Sequence, residues 1–323
     1  MKNAFGVLLA AGLASVIGAN AGSIDLQGMK VIWAVPTNAW PVSGIWSYRA
    51  VPRQFSDTVI SNAMAIGTFT LEDRKKLSPA ALAVDGKAVY FSDEKQTRWL
   101  EILPTFGYIK YYDLNAEAKA VNAVKGVPEP VIGVPDLAQA TKLALNYAQS
   151  LGIDDSQLAR KTDGDLDVHW NITRRQWMDP RTNKPVDEIQ DFGVYFTRLV
   201  GGIKMSGFGD VYVDFGNNAK VHELEINWRN LQPYQLLTNL VTPAQIISSI
   251  QNGETALPTM EGWPIDSIKT LTITNAVPRY GRKPGDEPVE FLVPALQLDA
   301  IADNGNTNKP IWFQTGIFPP KTL

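Results

Sequence analysis

The chain has 323 residues, 45% of them apolar, and a formal net charge of -3 at pH 7. It can bury a sizeable core, but with acidic and basic residues mixed and no basic block it gives nucleic acid no electrostatic footing. Cysteine is absent, which excludes disulfides, thiol catalysis, zinc–thiolate sites and iron–sulfur clusters.

In chain order, Lys2, the apolar run from Ala4 to Ile17 and the small-x-small site at Ala19, Asn20 and Ala21 predict a signal peptide over residues 1–21. The run is short of the roughly 20 residues a spanning helix needs. The mature chain is therefore expected to be secreted or periplasmic, with no membrane contact after cleavage. Without disulfides, its core alone must hold it.

Residues 22–120 read as a β-rich N-terminal domain. Met29 to Val35, Ala88 to Ser92, Trp99 to Leu103 and Tyr108 to Asp113 are strand candidates, the last two forming a hairpin. Pro36 to Pro52 reads as a Pro- and Trp-rich loop, and Phe55 to Ile66 as a short helix or an irregular strand. Val121 to Pro135 carries too many Gly and Pro residues for a helix and reads as a linker.

Residues 136–240 read as a helix plus an antiparallel sheet. Asp136 is the expected N-cap, Leu137, Ala140, Leu143, Ala144, Tyr147 and Leu151 recur at helical spacing, and Gly152 stops the run. Leu166 to Met178 is a long strand candidate, followed by a polar loop to Gln190. Asp191 to Leu231 then reads as a three-stranded meander. Its strands are Gly193 to Val200, Asp210 to Phe215 and Lys220 to Trp228, with turns at Gly201-Gly202 and Gly216-Asn217-Asn218. In the third strand the apolar alternation slips between Val221 and Leu224, the mark of a bulge. Residues 241–323 read as a smaller unit of the same kind. Thr242 and Pro243 open a helix to Gln251, and strands follow at Ile268 to Pro278, Val289 to Leu298 and Pro310 to Gly316. The expected fold is α+β, with antiparallel sheets each packed by a helix.

The helix DLAQATKLALNYAQSLGI, the strands VYFTRLVGGIKMSG and VYVDFGNNAKVHELEINW, the helix start VTPAQIISSI and the terminal PIWFQTG follow a family's order. So do Arg198 to Ile203, an R-x-x-x-G-I turn, and Gly216-Asn217. Over residues 136–316 the chain resembles the PepSY-like domains and the YycI/YycH family of exported bacterial regulators. The resemblance implies cystatin-like units and a role in binding or restraining another protein, and it carries no catalytic residues over. Those regulators usually keep an uncleaved membrane helix, unlike the pattern here, and residues 24–120 match no part of them.

Two histidines are the available acid–base groups near neutral pH, His169 and His222. Strand alternation puts Asp165, Asp167 and His169 on one face, and strand pairing is expected to decide whether His222 joins them in an acid–base or metal site. The bland alternative is a solvated strand face. No zincin spacing follows His222, no G-x-S-x-G elbow is present, and no metal or cofactor motif appears. Asp187, Glu188 and Asp191 are acids in the expected polar loop, weighed as a glycosidase pair. Of the nine tryptophans, Trp40 and Trp46 in the expected loop and Trp170 and Trp177 on a strand are the candidate binding residues, flat surfaces for stacking. The leading expectation is a non-catalytic, cofactor-free protein that binds a protein or peptide partner. The alternatives are a secreted hydrolase acting on glycans and a carbohydrate-binding protein.

Overall fold

The structure, a computed structural model, describes residues 26, 28–36, 44–77, 82, 85–116, 131–180, 182–205, 209–281 and 291–316. The expected signal peptide, Trp40 and most of the expected linker lie outside the described residues. The fold is α+β and mostly antiparallel.

In chain order the elements are β1 (Lys30–Trp33), β2 (Ile45–Val51), α1 (Asp57–Ile66), β3 (Val89–Ser92), β4 (Arg98–Leu103), β5 (Tyr108–Asp113), α2 (Leu137–Ser150), β6 (Val168–Asp179) and β7 (Lys184–Thr197). The short β8 (Leu199–Val200) and β9 (Ile203–Lys204) follow, then β10 (Asp210–Phe215), β11 (Val221–Asn227), β12 (Asn230–Leu237), α3 (Pro243–Gln251), β13 (Thr270–Gly281), β14 (Phe291–Asp303) and β15 (Asn308–Gly316).

Seven strands form one sheet in the order β3-β4-β5-β11-β10-β7-β6, every neighbouring pair antiparallel. The expected meander is its centre: β7, β10 and β11 lie side by side in sequence order. Gly201 and Gly202 take φ of 55° and 81°, turning β8 tightly into β9. Asn218 takes the left-handed conformation at the β10–β11 turn, which a short amide side chain tolerates.

One face of this sheet is core. Phe192, Val194 and Phe196 of β7, Val211, Val213 and Phe215 of β10 and Leu224 and Ile226 of β11 are buried there. Helix α2 lies across β7 and β10. Asp136 caps it by accepting from the Gln139 N–H, as its sequence predicts. The fully buried stripe is Ala140, Ala144 and Ala148, with Leu151 just past the helix buried too; Leu143 and Tyr147 pack partly against the core, and Leu137 is exposed. Small side chains let the helix backbone sit close to the sheet. Phe55 to Ile66, open between helix and strand, resolves as α1, with Ser56 as its cap.

The second sheet has the order β1-β13-β14-β2-β12, with β15 also on β14. β14 alternates, burying Leu292, Leu296, Leu298, Ala300 and Ala302. Helix α3, capped by Thr242 and Gln245 in a reciprocal box, buries Ile246 and Ile250 against this sheet's core. Each sheet is thus packed by a helix.

Sheet membership does not follow chain order. From residues 22–120, β1 and β2 join the C-terminal strands while β3, β4 and β5 join the meander. Two expectations are corrected. Pro36 to Pro52 is not wholly loop, because β2 holds Trp46 opposite Leu236 on β12. The polar stretch before Gln190 is strand from Lys184 on, so Asp187 and Glu188 face out of a hairpin. Polar composition was the wrong guide there: residues 184–189 pair only with β6 and form a two-stranded ribbon beyond the sheet, with ion pairs between its two strands.

Candidate functional site

The candidate residues fall into two clusters on the sheet face opposite α2. The first is at the sheet edge. His169 Nε2 lies 3.6 Å from Asp167 Oδ2, and Asp167 is also ion-paired with Lys204. Burial opposes ionisation of Asp167, yet Lys204 and the nearby His169 hold its carboxyl below the usual range. The His169 side chain is 63% exposed. Asp165 does not join this pair: it sits exposed in the turn before β6, its backbone N–H held by Asp163.

His222 lies elsewhere. His169 pairs with Tyr195 on β7, which pairs with Tyr212 on β10, which pairs with Glu225 on β11. Three strand spacings, about 14 Å, therefore separate the strands of the two histidines. His222 therefore does not join Asp165, Asp167 and His169.

The second cluster surrounds His222. Asp214 pairs with Glu223 and Phe215 with Val221, so His222 is the extra residue of a β-bulge. The bulge sets His222 against Asp214 while Val221 beside it faces the core, and both are buried. Its Nδ1 is 3.0 Å from Asp214 Oδ2. Asp191 completes the group: one ligand atom from each of Asp191, Asp214 and His222 lies within 4.8 Å of the others, and all three residues are buried. Burial raises the Asp214 pKa; the hydrogen bond with His222 opposes this and the neighbouring Asp191 charge adds to it. Tyr212 is likewise pushed up, by burial and then by Asp214.

Two features furnish the surroundings. Rings stack across four strands towards His222: Tyr90 on Trp99 at 6.4 Å, Trp99 on Tyr112 at 5.9 Å, and Tyr112 against His222 at 4.8 Å. On the other side, Gly193 pairs with Asp214, and the place a side chain would take there is filled by Asn171 and Tyr212. A Cβ built there would lie 2.0 Å from Asn171 Oδ1 and 2.7 Å from the Tyr212 hydroxyl. Gly193→Ala is therefore expected to destabilise the chain by about 1–3 kcal/mol, read as a lower urea midpoint, with the Asn171 and Tyr212 side chains displaced.

Asp214 escaped the sequence reading. The signal was present: β10 alternates, placing Asp210, Tyr212 and Asp214 on one face, and the apolar slip marks the bulge that aims His222 at it. Asp191 was weighed only as a loop acid.

The remaining candidates are placed as follows. Trp170 is 54% exposed and stacks on Phe192 at 5.9 Å. Trp177 is half-buried on the same strand, its Nε1 buried without a hydrogen-bond partner among the described residues. Trp46 is exposed on β2, its carbonyl accepting from the Tyr280 hydroxyl. Asp187 and Glu188 are strand neighbours aimed at opposite faces, paired with Arg174 and Arg175. Two carboxylates on opposite faces cannot flank one glycosidic bond.

A cavity of about 10 Å³ lined by Arg198, Met205, Arg229, Leu231 and Leu292 has room for about one water. An open depression of about 470 Å³ lies at the β14–β15 turn, lined by Asp303, Gly305, Asn306, Thr307 and Asn308. Neither borders His169, His222 or their acids. Among the described residues no helix is long and apolar enough to cross a membrane.

No family model matches the chain, and no curated protein matches its sequence. Solved structures with a similar course include an uncharacterized protein from Eubacterium rectale, at TM-score 0.49 and 9% identity over 91% of this chain and 88% of that one. The C-terminal domain of YpeB from Bacillus megaterium is similar at TM-score 0.36 and 10% identity, over 82% of this chain and 94% of that one. Likenesses this distant decide nothing about function.

Proposed function

We propose that this chain is an exported, non-catalytic binding protein that takes up an extended segment of a partner protein by strand addition along β6. The observation that carries the reading is the open outer edge of β6. It is twelve residues long and contains neither proline nor lysine. It ends the seven-stranded sheet, and no strand lies beyond it among the described residues. Such an edge presents unpaired N–H and C=O groups as a template for another chain. A bulge between Thr173 and Arg174 divides it into two runs, and Trp170 and Met178, both more than half exposed, supply apolar side chains beside each. The ribbon beyond the sheet extends the same edge outward. Export rests on the signal pattern of residues 1–21, and the resemblance to PepSY-like and YycI/YycH regulators agrees with restraint of a partner by contact rather than chemistry.

A linear peptide library panned against the chain tests this. Selected peptides are expected to protect β6 amides from hydrogen exchange. The variant carrying both Trp170→Lys and Met178→Lys should keep its circular dichroism spectrum and lose at least tenfold in affinity, since edge lysines oppose strand addition. Peptides that leave β6 amides unprotected, or that bind the double variant equally well, would remove the proposal. A second reading, carbohydrate binding, is favoured by one feature: the Trp170 indole has one face on Phe192 and over half its surface free. Selective binding to a glycan array, lost in Trp170→Ala, would replace the peptide reading.

A further inference from the structure

The cluster at the bulge has no use in strand addition, and it has the composition of a metal site. We infer that Asp191, Asp214 and His222 bind one divalent transition-metal cation, with zinc as the ion to test. The donor set is one imidazole and two carboxylates, brought within 4.8 Å of one another and all buried. An imidazole among the donors favours zinc and its neighbours over calcium or magnesium, which prefer all-oxygen shells.

Geometry agrees. Donors at about 2.1 Å from a shared ion stand about 3.0 Å apart at a right angle and about 3.4 Å apart at the tetrahedral angle. His222 Nδ1 and Asp214 Oδ2 are 3.0 Å apart. The separation fits a shared ion as well as it fits a hydrogen bond.

A second observation separates the two. If Asp214 served only to orient His222, both its oxygens should be satisfied, because buried polar atoms almost always are. Asp214 Oδ1 is buried and has no hydrogen-bond partner among the described residues. Nor does an orienting role explain why Asp191 brings a second negative charge to the same buried spot. A dication neutralises both carboxylates and, chelated by both Asp214 oxygens, gives the orphaned Oδ1 a partner as well.

The chain has only two histidines, which makes the test direct. In the side-chain nitrogen–carbon NMR correlation spectrum of the wild-type chain, zinc should shift the His222 ring at one equivalent and leave the His169 ring unmoved. Calorimetry should find one zinc per chain with Kd of about 1 µM or tighter. His222→Gln and Asp191→Asn should each weaken binding at least tenfold, and His169→Gln should not. Binding that follows His169, or an unmoved His222 ring at excess zinc, overturns the assignment. Because the ring measurement uses the unaltered chain, it decides the matter even if a variant fails to fold. It also reads independently of any peptide bound at β6.

Discussion

Trp228→Ala is expected to cost about 5 kcal/mol, enough to unfold much of the population at room temperature. Trp228 follows β11 and is 3% exposed, in the core under the seven-stranded sheet. Removing a buried indole leaves a cavity, worth about 3–5 kcal/mol by itself. Here the indole also supports a buried cation. The Arg198 guanidinium lies 4.7 Å from the Trp228 ring and donates to the Arg229 carbonyl at 2.6 Å. Burial lowers the Arg198 pKa to about 10, with Arg53 nearby contributing, so the group is already held against its preference for water. A desolvated cation–π contact contributes about 2 kcal/mol, and alanine abolishes it.

Trp228→Phe separates the contributions. It keeps an aromatic face for Arg198 and gives up the hydrogen bond from Trp228 Nε1 to Gln157 Oε1, 3.1 Å long. Its cost should be about 1–2 kcal/mol. Equilibrium urea unfolding of both variants checks this. Equal losses in the two would mean that the stack on Arg198 contributes nothing.

Asp210→Asn should stabilise the chain at neutral pH. Burial pushes the Asp210 carboxyl up from 3.8 to about 6, against a hydrogen bond from the Tyr195 hydroxyl that favours the ionised form, and its Oδ1 has no hydrogen-bond partner among the described residues. A folded-state pKa above the unfolded value means that the native chain binds the extra proton between about pH 4 and pH 6. The stability linked to that proton is present at low pH and lost as pH rises through the folded pKa. Each pKa unit corresponds to about 1.4 kcal/mol, so the whole effect is about 3 kcal/mol. Asparagine stays neutral throughout. The variant should match the wild type near pH 4 and exceed it by about 2–3 kcal/mol at pH 7.5. Unfolding midpoints at pH 4, 6 and 7.5 measure the difference, and parallel curves would show that Asp210 ionises without strain.

What could be read along the chain was what neighbouring residues decide between themselves. Asp136 and Thr242 were legible as caps because a cap acts within one turn of its helix. The Gly201-Gly202 turn and the order β7, β10, β11 were legible because a tight hairpin fixes which strand lies beside which. Even the bulge at His222 showed as a slip in alternation, although its consequence, a contact with Asp214 only eight positions away, needed the strand register to be seen.

Only the tertiary structure decided the rest. Lys30 pairs with Thr270, and Ile45 with Leu237. Backbone N–H and C=O groups are alike at every position, so partners so far apart are chosen by how much apolar surface the whole arrangement buries, which no local pattern records. β12 went unseen because its proline, Pro233, suits an edge strand as well as a loop, and β2 because it lies in a Pro- and Trp-rich passage. The same limit governs the sites. Alternation grouped Asp165, Asp167 and His169, and in the structure only Asp167, just before β6, lies beside His169. That His222 meets Asp191 and Asp214 instead depends on three strands lying side by side and on the bulge that sets His222 against Asp214.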